Sequence, residues 1–452
     1  MSIFILCVMI AIEIGLGVFT ICKQREKGQW YRNRCLVNCG ELVVYFIMIL
    51  LPGIDFTFRF KGFFFLLLLR AVISAIIFLI KRSKAEGDKK ISEAMVSVIF
   101  SIFLLGISLV PSFIFSDYAG KETTGEHGVE VSQAILVDPN RVESFETDGS
   151  NREVPVYFFY PEDADGTQKY PVVLFSHGAF GYYPSNTSTY MELASHGYVV
   201  ISLDHPYHSF FTEDTDGKLI TVNPEFLNEV MYINEDTTPE EEIYALSSKW
   251  LTIREDDINF VLDTMETASD QKALSKDWFL GKTEETKIVN ILNSMDCSKI
   301  GLMGHSLGGA AVVSIGRERD DISAVVDLDG TMLGEQIGFE NGAYIMEEDP
   351  YPIAILSIDN EEHHIQGEQC GSYYVNNVIL DNALDGHNTY FAGSGHMNFT
   401  DLPLFAPPLA NMLGTGTIDV DDCIETMNQI ILDYMNHYLK GEGEFNLKES
   451  YE

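Results

Sequence analysis

The run Gly301–Val312, GLMGHSLGGAAV, restricts the fold more than any other stretch of this 452-residue chain. A strand-like segment from Lys299 to Met303 leads straight into Gly304-His305-Ser306-Leu307-Gly308-Gly309, and a small-residue helical pattern follows. Glycine two positions either side of a serine implies that backbone passes too close for a side chain. A sharp strand-to-helix turn presenting a serine hydroxyl has that requirement. The strand feeding it must sit in a sheet with helices packed against it.

The rest of residues 116–452 repeats the pattern. Short runs rich in branched apolar residues recur at Ala134–Val137, Val154–Tyr160, Val172–Phe175, Tyr198–Leu203, Ala324–Leu328, Ile353–Ile358 and Thr389–Ala392. They are continuous rather than alternating, as in parallel strands buried on both faces. Helical patterns lie between them. Trp250, Ile253, Ile258, Val261, Leu262 and Met265 fall on one helical face. The expected fold class is therefore α/β, a mostly parallel sheet with helices on both faces. The region 210–298 interrupts the alternation and reads as an insert or cap; its first part, acidic and aromatic, reads as a cap or substrate loop or a solvated excursion.

The first 115 residues differ in kind. Apolar segments occur at Ile3–Cys22, about Leu36–Leu51, Phe63–Ile80 and about Ala94–Phe115. A bilayer core takes ~20 residues of helix, so an all-α region of about four transmembrane helices is expected over 1–115. Residues 116–130 read as a linker and 131–452 as the α/β domain. Arg70 sits inside the third segment and must face other helices or snorkel; with the acidic Glu13 and Glu41 it hints at a membrane part that transports or assembles with a partner. Lys23–Cys35 and Lys81–Lys90 each carry five Lys and Arg, and the loop between them carries two. The positive-inside rule puts both basic loops in the cytoplasm, so four spans leave the α/β domain extracytoplasmic on a multi-pass cell-membrane protein. Residues 1–115 have 13 Lys and Arg against 7 Asp and Glu, a net +6; the whole chain is −38, leaving −38 − 6 = −44 for residues 116–452. That charge excludes a nucleic-acid partner for the α/β domain.

Ser306 needs an acid and a histidine further along, in that order. His396, in AGSGHMNFTDL just beyond the last expected strand, fits as the base that takes the serine proton. Asp329 and Asp359 each end a strand after the serine, and either reaches such a histidine. Asp327, inside its strand, reads as a buried structural partner. An oxyanion hole needs two backbone N–H groups. Leu307 supplies one, and Ala179, after His177-Gly178 in VVLFSHGAFGYY, supplies the other. His177, Phe180, His205 and His305 are candidates to line the pocket. DHPYH (Asp204–His208) lacks the third ligand of a metal site. His363 and His364 read as surface residues, Arg254 as an ion-pair partner of nearby carboxylates, and Asn186 and Asn398 lie in glycosylation sequons.

Together LFSHGAFGYY, LASHGYVVISLDH, GHSLGGA, DLDG and GSGHMNFTDL resemble the plasma-type platelet-activating factor acetylhydrolases and related dienelactone-hydrolase-like esterases, over roughly Val154–Phe405. The resemblance implies an α/β-hydrolase fold and a calcium-independent serine esterase acting, without metal or cofactor, on short or oxidised acyl esters; the expected partners are a small-molecule ester or lipid substrate and the membrane. In that family the acid lies 23 residues past the serine; 329 − 306 = 23, which favours Asp329. The expected protein is a membrane-anchored serine ester hydrolase. The rival reading is an inactive hydrolase-fold module that binds or senses, and a membrane part that transports or assembles is a third.

Overall fold

The computed structural model describes residues 2–22, 26–50, 56–82, 86–235 and 237–452. These form two compact units, Met1–Ala119 with Leu404–Leu409, and Gly120–Pro403 with Ala410–Glu452.

The larger unit is built on a ten-stranded sheet. Its principal strands are β1 (Val129–Val142), β2 (Asn151–Pro161), β3 (Tyr170–Ser176), β4 (Val199–Leu203), β5 (Met295–His305), β6 (Ile322–Leu328), β7 (Ala354–Asn360) and β8 (Asp385–Phe391). Across the sheet they run β8-β7-β6-β5-β3-β4-β2-β1, with two-residue edge strands outside them. All neighbours from β4 to β8 pair in parallel, and β2 pairs antiparallel with β4 and β1. The continuous apolar runs have the expected cause. Val172 and Leu174 of β3 enter one core cluster, and Val173 and Phe175 enter the other.

Within region 210–298 the apolar helical face read from the sequence packs into the core. The 32-residue helix Glu240–Gln271 turns Trp250, Leu251, Ile258, Val261, Leu262 and Met265 inward. Burying each of these apolar side chains is worth ~1.5–3 kcal/mol, which fixes the helix against the sheet. Ile253, placed on the same face by its spacing, is only half-buried.

In the smaller unit all four apolar segments are helical: α1 (Ser2–Cys22), α2 (Lys27–Met48), α3 (Phe58–Lys81) and α4 (Ile91–Ser108). Three of them, α1, α3 and α4, are long and apolar enough to cross a membrane. Helix α2 starts earlier than expected and takes in part of the basic stretch; its expected end at Leu51 lies outside the described residues. The mid-segment charges meet one another. Arg34 and Arg70 both bond Glu13, Arg70 lies 3.1 Å from Glu41, and the Asn38 amide donates to the Arg70 carbonyl at 3.1 Å. Helix–helix contact thus resolves the cost of Arg70 in an apolar segment. The described parts of the two basic stretches meet: Glu26 bridges Asp88 and the Lys27 N–H donates to Gly87 at 3.0 Å.

Candidate active site

Ser306 sits between β5 and the helix Leu307–Glu318, at φ 54° and ψ −124°. A non-glycine residue there costs roughly 1–3 kcal/mol and persists only where its surroundings force it. They do: the Ser306 N–H donates to Leu328 at 2.9 Å, and its carbonyl accepts from Ala310 at 3.0 Å. The flanking glycines are required by contact. A Cβ on Gly304 would run into the Gly308 carbonyl, and one on Gly308 into the Ser176 carbonyl.

Asp329 follows β6 and is also held at positive φ, 55°. Its Oδ2 lies 2.5 Å from His396 Nδ1. Asn360, at the end of β7, donates its backbone N–H to Oδ1 at 2.7 Å and its side-chain amide to Oδ2 at 2.6 Å. Burial raises the carboxyl's pKa, but the bonds and charges of His363 and His396 outweigh it, leaving Asp329 well below the ordinary carboxylate range. Asp359 has other partners. Its oxygens accept from Ser357 at 3.0 Å and Asn388 at 2.8 Å, and burial pushes its pKa up to about 6. Asp327 is fully buried and accepts the Gly330 N–H at 3.1 Å.

His396 opens a short helical turn, His396–Phe399, and its ring lies 4.6 Å from that of His305. Asn398 holds this loop, accepting from Gly395 at 2.9 Å and Gly416 at 2.8 Å. Asn398 and Asn186, the two sequon asparagines, are both fully buried.

The loop after β3 comes up against the elbow. A Cβ on Gly178 would stand 2.8 Å from His305 Nδ1 and 3.2 Å from Ser306 Cβ. Among the described residues neither the Ala179 nor the Leu307 N–H meets a protein acceptor. Phe180 packs on Phe226, with ring centres 5.2 Å apart. His177 and His205 lie fully buried in a polar layer behind the loop. His205 spans Asp257 (2.9 Å) and Ser176 (2.9 Å), and burial pushes its pKa down to about 4. Burial likewise pushes His305 down to about 3. His208, the other DHPYH histidine, stacks on Phe226 at 3.9 Å.

Two sequence readings need correction. His363 is not a free surface residue: its Nδ1 lies 2.9 Å from Asp329 Oδ1. Asn360 caps the helix Glu361–Cys370, which turns the third helical residue back toward the strand end. His364 stacks on Tyr390 at 3.7 Å. Among the described residues Arg254 is not bonded to a carboxylate. It is fully buried, and its guanidinium donates to the carbonyls of His177 and Gly178.

A mostly parallel sheet flanked by helices, with a serine elbow after its central strand, an aspartate at the end of β6 and the histidine it binds beyond β8, two strands over, defines an α/β-hydrolase. The family model described as platelet-activating factor acetylhydrolase, isoform II, matches residues 145–451, and the chain belongs to that family. The platelet-activating factor acetylhydrolase of Bos taurus is 23% identical over 292 residues, covering 63% of this chain and 60% of that protein. A probable 1-alkyl-2-acetylglycerophosphocholine esterase of Arthroderma benhamiae is 27% identical over 179 residues, covering 39% of this chain and 36% of that protein. The chain thus spans less than two thirds of the length of these relatives. A ferulic acid esterase structure from Streptomyces cinnamoneus superposes with a TM-score of 0.50 at 18% identity, over 73% of this chain and 95% of that one. That likeness concerns the fold.

Proposed function

We propose that the chain is a membrane-anchored serine ester hydrolase that cleaves lipid or other acyl esters through an acyl-enzyme. The observation that carries this reading is Ser306 on its forced elbow, next in sequence to His305, whose ring packs on a histidine bound to Asp329. Ser306 Oγ attacks the ester carbonyl while His396 Nε2 takes its proton. Asp329 stays ionised, keeps the proton on His396 Nδ1 and balances the imidazolium. The Ala179 and Leu307 N–H groups receive the developing oxyanion. His396 returns its proton to the leaving alcohol, then activates the water that frees Ser306.

The names of the relatives favour an acetyl or other short acyl group on a glycerophospholipid. Three apolar helices support anchoring in a bilayer. The meeting of the described parts of the two basic stretches at one end of the helices supports an even number of crossings between them. By the positive-inside rule that end faces the cytoplasm, and the chain from residue 116 lies outside.

The test is hydrolysis of acetyl-, butyryl- and palmitoyl-glycerophosphocholine by the detergent-solubilised protein beside Ser306→Ala. Release of the short acyl groups that is lost in the variant is expected. Equal release by both proteins would refute the assignment.

A further inference from the structure

Arg254 poses an energetic puzzle. A guanidinium with no exposure to solvent has lost its hydration, a penalty usually offset by a carboxylate. Here the hydrogen bonds go to two backbone carbonyls, His177 and Gly178, the latter at 3.3 Å. Burial pushes its pKa down to about 9, so it remains a cation at neutral pH. The nearest balancing charge, Asp257 on the same helix, is engaged by Arg141, Arg152 and His205.

Which carbonyls are held matters. The Gly178 oxygen also receives His177 Nδ1 at 2.7 Å and the Gly181 N–H at 3.1 Å. The partners fix the His177 tautomer. The Gly178 carbonyl can only accept, so the ring proton is on Nδ1; the bare Nε2 then accepts the Ser209 hydroxyl at 2.8 Å, and that hydroxyl oxygen accepts the His205 backbone N–H at 2.9 Å. Three donors therefore fix one oxygen. The peptide joining Gly178 to Ala179 is trans, and in a trans peptide the N–H points opposite to the C=O. Drawing the Gly178 oxygen into the buried layer turns the Ala179 N–H away from that layer. The same glycine is packed against Ser306 Cβ.

We propose that Arg254 is a positioning residue of the ester-hydrolysis site: by holding the Gly178 carbonyl it aims the Ala179 N–H at the oxyanion. This rests on Ala179 being an oxyanion donor, as proposed above. A cation is suited to the task because its bonds to carbonyls are stronger than those of a neutral donor. The two forks of the guanidinium also restrain consecutive peptide planes, which a single donor cannot do.

The test uses full-length protein in detergent with Arg254→Lys, which keeps the cation, and Arg254→Met, which keeps most of the volume. Rates are normalised to the fraction of Ser306 that titrates with a fluorophosphonate. The expected result is a kcat per titrated site lowered roughly 10-fold in the Lys variant and 100-fold or more in the Met variant, with KM changed less than about threefold. Inhibition by an alkyl trifluoromethyl ketone, whose tetrahedral adduct places an oxyanion in the hole, should weaken by the same factor as kcat/KM falls.

Unchanged kcat per titrated site and unchanged ketone affinity in a folded variant would overturn the proposal. So would failure of both variants to fold, which would make Arg254 a residue of stability alone. Activity that survives in Ser306→Ala would instead overturn the underlying assignment. The two failures are therefore distinguishable.

Discussion

Replacing Asp329 by Asn tests how the site is wired. The carboxylate accepts His396 Nδ1 and the Asn360 side-chain amide at Oδ2, and at Oδ1 the Asn360 backbone N–H, with His363 Nδ1 2.9 Å away. An amide in its place must turn an NH2 toward one side. Turned toward Oδ2, it confronts His396 Nδ1, which can then only accept; the ring proton moves to Nε2 and the base is lost. Turned toward Oδ1, it confronts a buried backbone donor at a cost of ~1–3 kcal/mol. In either orientation the negative charge opposite the imidazolium is gone. Loss of tautomer and charge together corresponds to about 4–5.5 kcal/mol in the barrier, a 10³–10⁴-fold fall in kcat. The assay is p-nitrophenyl acetate turnover at pH 7.5, with thermal melting to verify folding. Asp359→Asn is the control: its bonds to Ser357 and Asn388 can both be kept by an amide, and activity should stay within about threefold of wild type. A folded Asp329→Asn within tenfold of wild type, or a larger loss in Asp359→Asn, would refute the reasoning.

Other predictions concern the framework. Gly308→Ala drives a Cβ into the Ser176 carbonyl and should leave little folded protein by size-exclusion chromatography; a soluble, active variant would contradict the close approach. Asp359 has a folded pKa raised from 3.8 to about 6, so the folded state holds its proton where the unfolded chain does not. Its contribution is present below about pH 4 and lost as pH rises to about 6. Asp359→Asn should therefore gain stability relative to wild type across that window by up to ~3 kcal/mol and then level off; a flat difference in melting temperature would contradict it. Glu13→Gln leaves Arg34 and Arg70 short of a counter-charge and should cost roughly 3–5 kcal/mol, read as a lower melting temperature in detergent. An unchanged melt would show that these charges carry no stability.

The legible parts of the sequence were those where backbone geometry dictates residue type. Gly304 and Gly308 announced the elbow because no other residue fits, and the unbroken apolar runs announced strands buried on both faces. The apolar face of the helix Glu240–Gln271 was visible in its spacing, but its 32-residue length was not, because an acidic, aromatic lead-in hid its start. Three things were harder to read for a common reason: they depend on which distant segments meet. Arg254 looked like an ion-pair residue because nothing local says that its guanidinium reaches two carbonyls 76 and 77 residues earlier. His363 looked exposed because a doubled histidine says nothing about a cap at Asn360 that turns one ring toward Asp329. Arg70 was recognisable as a charge that must face other helices or snorkel, but that Glu13 and Glu41 are what it meets comes from helix packing.

The most direct measurement is fluorophosphonate labelling of the full-length protein in detergent beside Ser306→Ala and His396→Ala, with the labelled peptide identified by mass spectrometry. A serine activated by His396 predicts one adduct, on Ser306, absent from the first variant and formed far more slowly in the second. A folded wild-type protein that takes no label, or takes it elsewhere, would contradict the account.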